Sequence, residues 1–205
     1  MAQTADKPHC PIVFVLGPPG SGKGTLCKRM TEGHPDLSGS SFYHLSVGDY
    51  LRELCDPAIP SAHENLDRDS IRFHLRENVL LPSEVLIPIL DHKINSTLNS
   101  NGDTTTWLVD GFPRNTETLL AFEQKLERPM KVIILECTRD SAKERFLAHR
   151  REGADNENRF NKRYDEYVEN MKGIREYYAP IIQSAQADAD IAANSKVFAA
   201  CLKKP

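Results

Sequence analysis

Residues 17–25 read Gly-Pro-Pro-Gly-Ser-Gly-Lys-Gly-Thr and follow directly on Ile12–Leu16, an apolar run rich in β-branched types. That order constrains the fold more than anything else in the chain. A run like 12–16 predicts a strand buried on both faces. Glycines let the backbone wrap closely round a phosphate, because a Cβ would block the approach. Successive N–H groups then converge on the anion. The helix predicted from about Thr25 to Thr31 adds the positive potential of its N-terminus. Lys23 reaches the β- and γ-phosphates of a nucleotide, and Thr25 supplies a hydroxyl beside a magnesium ion. The general phosphate-loop pattern places Ser or Thr immediately after the lysine, whereas Gly24 intervenes here. Gly20, Ser21, Gly22, Lys23, Gly24 and Thr25 are the candidate nucleotide-binding residues.

Further strand-like runs lie at Phe42–Leu45, Trp107–Val109 and Val132–Leu135, with a weak fifth over residues 188–192. Helices are predicted near Asp49–Cys55, Arg68–Glu77, Ser141–Arg151, Arg159–Tyr178 and Ser195–Leu202. Another begins near Pro82, where Val85, Leu86, Ile89, Leu90 and Ile94 recur at helical spacing. Strands alternating with helices predict an α/β fold on a mainly parallel, five-stranded sheet. Such sheets bind ligands at the carboxyl ends of their strands. The chemistry should therefore follow Leu16, Leu45 and Val109.

Length and charge narrow the function. The 205 residues suit one domain. A formal net charge of -3 gives no bulk attraction for nucleic acid. No apolar run is long enough to span a membrane. Met1 to Pro11 lacks a secretory apolar core and an Arg-rich transit pattern, so a cytoplasmic location is expected, with the nucleus left open. The 5 cysteines are scattered without a CxxC pair, which predicts free thiols and no zinc site.

Asp110-Gly111-Phe112-Pro113-Arg114 follows the third strand, and Ser46 to Arg52 follows the second. Asp110, ending an apolar strand, suits magnesium binding through water. Arg52 and Arg114 carry guanidinium forks that match phosphate oxygens and stay charged at any working pH. Two phosphates brought into line repel each other, and Lys23, magnesium and arginines would offset that repulsion. No Ser–His–Asp set is apparent. His44 and His149 lie nearest these segments, and a packing or surface role is expected for both.

These segments resemble the nucleoside monophosphate kinase family, which holds adenylate kinases and UMP–CMP kinases. Gly17–Thr25 is similar to its GxPGxGKGT loop, extra glycine included. Ser46, Gly48, Asp49 and Arg52 fit its LSxGDxLR segment, Asp110–Arg114 its DGFPR segment, and Leu80-Leu81-Pro82 its base-contacting step. The likeness runs from about residue 10 to 200. It implies a P-loop three-layer fold, a monophosphate-binding flap over about 46–81 and a short lid over about 150–158.

The resemblance also implies roles. ATP is the donor, with Mg2+ and a nucleoside monophosphate acceptor, in a monomer that uses neither nucleic acid nor membrane. Lys23, Arg52, Arg114, Arg151 and Arg163 would be catalytic, and Arg150 would join the ATP contacts. The acceptor would meet Ser46, Val47, Arg52, Val79, Leu80, Leu81, Gly111, Phe112, Pro113, Arg114, Thr118, Arg151 and Arg163. The lid departs from the pattern, because Ala154 replaces its first aspartate. Which of Arg150 and Arg151 takes which lid role stays open. Asn78 replaces a family glycine, and Asn accepts the left-handed conformation that a turn there needs. Val47 and Thr118 have lost the hydroxyl and amide that adenylate kinases resemble one another in having. Together with Asn115, which alternatively caps a helix, they favour UMP or CMP over AMP. Two readings stay beside it: a kinase acting on AMP, and a catalytically weak ATP-binding module with a degenerate lid.

Overall fold

The computed structural model describes residues 11–59, 66–98, 105–149 and 156–203. Strand β1 (Ile12–Leu16) is buried along its whole length. It forms the centre of a five-stranded sheet of order β2-β3-β1-β4-β5. Its partners are β3 (Thr106–Asp110) on one side and β4 (Lys131–Glu136) on the other, both parallel. β2 (Phe42–Ser46) pairs parallel with β3, and β5 (Ile182–Gln186) pairs parallel with β4. The expected α/β class and five-stranded parallel sheet are both present.

Side-chain alternation along the strands builds two cores. Ile12, Phe14 and Leu16 point to one face with Trp107, Val109, Val132 and Ile134. That face is covered by α4 (Ser83–Leu98), α5 (Thr116–Lys125) and α7 (Glu157–Tyr178), through Leu90, Ile94, Phe122, Ile174 and Tyr178. Phe14 meets Phe112, Phe122 and Tyr178 edge-on, at centroid distances of 5.5, 5.2 and 6.0 Å, an arrangement that adds to simple area burial. Val13, Val15, Leu108, Ile133 and Leu135 point to the other face. There α1 (Lys23–Thr31) and α8 (Ile191–Lys203) supply Leu26, Cys27, Met30, Phe198 and Ala199. Helices α2 (Val47–Leu54) and α3 (Arg68–Glu77) lie within the expected flap, and α6 (Arg139–His149) precedes the expected lid.

Two features differ from the sequence reading. The fifth strand is Ile182–Gln186 rather than 188–192. It is an edge strand, so its polar Gln183, Ser184 and Gln186 carry no apolar signal. Residues 188–190 cap their surroundings instead. Asp190 Oδ1 accepts from the amides of Ala192 and Ala193 at 2.9 Å each, and Asp188 Oδ1 accepts from the Thr138 amide at 2.9 Å. The starts of α1, α2, α6, α7 and α8 also precede their expected positions. α1, α6 and α7 open on polar or small residues, which hide the apolar period, whereas α2 and α8 open on Val47 and Ile191. The end of the Ser141–Arg151 expectation lies outside the described residues beyond His149.

The loop before α1 depends on one close approach. Gly20 has φ 82°, and a Cβ there would lie 2.0 Å from the carbonyl oxygen of Ala142 in α6. Gly39 shares a positive φ of 83° but has open space around it. Gly20→Ala should therefore cost at least about 2 kcal/mol in a urea melt, and Gly39→Ala about 1 kcal/mol. Equal losses would show that the α6 backbone yields freely at Gly20.

Candidate functional site

Parallel pairing brings the carboxyl ends of β1, β2 and β3 to one edge of the sheet. A cleft of about 990 Å³ opens there, lined by the 17–25 loop, Ser46, Arg52, Asp110, Arg114 and Arg163. Gly22 has φ 86° and lets the loop turn directly into α1. Lys23 folds back over the loop. Its Nζ donates to the carbonyls of Gly17 and Pro18 at 2.8 and 2.9 Å and to Ser21 Oγ at 3.2 Å. Desolvation pulls its pKa down to about 8, opposed by Asp110 and reinforced by Arg163 and Arg114.

The other cations surround the same space. Arg52 donates to Asp49 Oδ1 at 2.8 Å, one turn back along α2. Arg114 Nε donates to the Gly111 carbonyl at 3.2 Å, which holds its guanidinium beside the turn after β3. Desolvation lowers its proton affinity below the ordinary guanidinium range, and Arg52 lowers it further. Arg163, on α7, lies over the Phe146 ring at 5.5 Å. Gly20, Ser21, Gly22, Gly24, Thr25, Gly111, Pro113, Val79 and Leu80 also line the cleft. Arg150 and Arg151 lie outside the described residues, as do residues 150–155 of the expected lid.

A recess of about 70 Å³ lies beside the cleft, lined by Val47, Leu80, Leu81, Phe112 and Thr118 among others. Val47 and Leu81 are buried apolar walls. Phe112 is mainly a core residue, packed on Phe14 and Phe122, and gives the recess only its floor. The Thr118 hydroxyl is already engaged. Its single proton is shared between the Asn115 carbonyl at 3.1 Å and Asn115 Oδ1 at 2.9 Å. Asn115 Oδ1 also accepts from the Thr118 amide at 2.8 Å, so Asn115 is the N-cap of α5. The cap alternative at Asn115 is what the structure adopts.

Asn78 adopts the expected left-handed conformation, with φ 54°, and ends α3. Its Nδ2 donates to Glu166 Oε2 of α7 at 3.2 Å. Lys162 Nζ donates to the Glu77 carbonyl at 3.5 Å. These contacts tie the end of α3 to the helix that carries Arg163.

Several site residues escaped the sequence reading. His44 Nε2 is hydrogen-bonded to Asp110 Oδ2, a partner that the sequence reading did not indicate. Its place two residues before the end of β2 was the available signal. Glu166, Tyr167 and Asn170 of α7 line the cleft without any motif to mark them. Burial, with Glu136, pushes the Tyr167 phenol up to about 12, so it stays protonated at working pH. Asn194 Nδ2 donates to the carbonyls of Ala187 and Ala189 at 3.1 and 2.7 Å, and Arg145 binds Ala187, Asp188 and Ala189 carbonyls. The 187–190 loop after β5 is thereby fixed at the rim of the cleft.

The family model for adenylate kinase matches residues 15–182. The chain belongs to the adenylate kinase family. It is 35% identical to UMP-CMP kinase 3 of Arabidopsis thaliana over 170 residues, 82% of this chain and 75% of that protein. It is 29% identical to the UMP-CMP kinase of Mus musculus over 189 residues, 87% of this chain and 88% of that protein. It is also 34% identical to adenylate kinase isoenzyme 5 of Homo sapiens over 146 residues, 71% of this chain but 23% of that protein. No described helix of this family member is long and apolar enough to cross a membrane.

Lys23 gives a pH signature. With its pKa near 8 in the free site, a bound polyphosphate raises that value and draws a proton in. ATP binding should take up protons above pH 8, and affinity should fall as pH rises through that value, by up to about tenfold per unit. Calorimetry in buffers of differing ionisation enthalpy reads the uptake. Lys23→Arg should abolish it, because a guanidinium stays charged. Zero uptake in the parent protein near pH 9 would rule out a depressed Lys23.

Proposed function

We propose that this protein transfers the γ-phosphoryl group of ATP to UMP or CMP, giving ADP and a nucleoside diphosphate. The observation that carries the reading is one continuous cleft. It holds a glycine-loop lysine at one end and Arg52, Arg114 and Arg163 around the rest. A site for a single nucleotide has no use for a second set of arginines beyond the loop. The named UMP-CMP kinases among the relatives support the acceptor class. The recess bears on it too, since Val47 offers no hydrogen bond and the Thr118 proton is committed to Asn115, leaving the hydroxyl oxygen as an acceptor only.

The roles follow from chemistry. The loop amides and Lys23 hold the donor β- and γ-phosphates, Lys23 exchanging its loop carbonyls for phosphate oxygens. Arg52 and Arg114 grip the acceptor phosphate. Arg163 faces both and neutralises charge on the transferring group; the resemblance gives Arg151 the same role and Arg150 a contact to ATP. Ser46, Gly111 and Pro113 shape the acceptor end, with Val79, Leu80 and Leu81 against the base. Glu166 holds the flap to α7 through Asn78, which keeps acceptor and donor ends in register. Phosphoryl transfer needs this positioning more than covalent chemistry.

The residues fit magnesium. Asp110 and Thr25 line the cleft beside the loop and offer only oxygen donors, the set that ion prefers. Asp110 would hold it through water, and the bound ion would neutralise charge on the phosphate oxygens.

A coupled assay for diphosphate formation, with ATP and magnesium and each of CMP, UMP, AMP and GMP, tests the reading. CMP and UMP should turn over far faster than AMP. AMP preference would overturn the acceptor assignment. No turnover at all would favour a nucleotide-binding module with a decayed lid. Arg114→Ala should lower kcat/KM for the monophosphate at least about tenfold while leaving the melting temperature within a few degrees. An unchanged kcat/KM would remove Arg114 from the acceptor grip.

A further inference from the structure

Cys27, His44 and Asp110 come from three different elements and meet behind the wall of the cleft. Cys27 lies on the sheet-facing side of α1 and is fully buried. His44 is on β2, and Asp110 ends β3. The thiol sulfur, an imidazole nitrogen and a carboxylate oxygen all lie within 4.8 Å of one another. Among the described residues, no other group of His, Cys, Asp and Glu side chains converges in this way. Cys55, Cys137 and Cys201 are free thiols outside it.

We propose that Cys27, His44 and Asp110 form a binding site for a thiophilic divalent cation, with zinc as the reference ion. Sulfur, imidazole and carboxylate together are a zinc-type donor set. Magnesium prefers oxygen ligands throughout and has little use for the sulfur. The site therefore separates the two ions by ligand chemistry although they share Asp110. Tetrahedral zinc ligands sit roughly 3.3–3.7 Å apart. The sulfur must close in slightly, while the directly hydrogen-bonded His44 and Asp110 must part. Binding therefore requires side-chain rotations at all three residues. Three protein ligands leave the fourth position to water.

On binding, Cys27 gives its proton to solvent and coordinates as thiolate. His44 coordinates through a neutral ring nitrogen, and Asp110 as the carboxylate. The ion adds two positive charges and the lost proton removes one, so the pocket gains one positive charge. The consequence for catalysis rests on the proposed function. A zinc-held Asp110 is no longer available to magnesium, so zinc would inhibit transfer. Binding itself does not depend on that reading.

The test uses the full chain. Zinc affinity is measured by competition with a chromophoric chelator, and cadmium serves as a spectroscopic probe of sulfur ligation. One zinc per chain is expected, with a cadmium–thiolate absorption band. Cys27→Ser and His44→Gln should each weaken zinc at least tenfold, and Cys137→Ser should not. Unchanged affinity in Cys27→Ser, or no thiolate band in the parent protein, would overturn the site. Should Cys27→Ser fail to fold, cadmium NMR of the parent protein decides. A resonance from a mixed sulfur, nitrogen and oxygen shell sustains the site when His44→Gln shifts it, and an all-oxygen resonance overturns it. Kinase assays at buffered free zinc then address the consequence alone. Tight binding without inhibition would keep the site and remove Asp110 from the magnesium role.

Discussion

Parallel pairing of β1 with β3, and of β3 with β2, is the constraint on which the site depends. Parallel strands end on the same side, so the phosphate loop, the start of α2 and the Asp110–Arg114 turn are delivered to one edge. The register is tight: Val15 lies opposite Asp110, and Ser46 lies opposite Asp110 on the other side. Apolar strands buried on both faces cannot slip by one residue without exchanging their two cores. Phe14 and its ring neighbours on one face, and Leu26 and Cys27 on the other, therefore hold the chemistry in place from beneath.

Within that frame the cleft concentrates positive charge against its own repulsion. Lys23, Arg52, Arg114 and Arg163 share one space, and desolvation is the main cost of keeping Lys23 and Arg114 charged there. Arg163 and Arg114 lower the Lys23 pKa further, and Arg52 lowers that of Arg114. Asp110, Asp49 and Glu166 offset part of the repulsion. The loop carbonyls occupy the Lys23 ammonium where phosphate oxygens would otherwise lie. An arrangement under this electrostatic load is relieved by polyanions, which is the physical basis of its selectivity for phosphates.

Asp110 stands where several demands meet. It ends a buried strand, raises the proton affinity of Lys23, pairs with His44 and lies near the Cys27 sulfur. One of its oxygens, Oδ2, is hydrogen-bonded to His44, while the residue itself lines the cleft. Chemistry on either side of that carboxylate must be felt on the other. The flap is coupled in a comparable way. Asn78 and Glu77 reach α7 through Glu166 and Lys162, so the end of α3 is bonded to the helix that bears Arg163.

The local signals were enough to read the strand–loop–helix unit, the sheet class and the grouping of Lys23, Arg52, Arg114 and Asp110, and the family resemblance pointed to the left-handed Asn78. Each depends on neighbours within a few residues: backbone freedom at glycine, apolar runs, and turns at strand ends. The edge strand Ile182–Gln186 was not legible, because a strand with one neighbour needs no apolar face. Nor were the commitment of Thr118 to Asn115, the Glu166 contact with Asn78, or the meeting of Cys27 with His44 and Asp110. Residues 27, 44 and 110 belong to three elements with no shared spacing. Only packing α1 onto the sheet, with β2 beside β3, brings their side chains within reach.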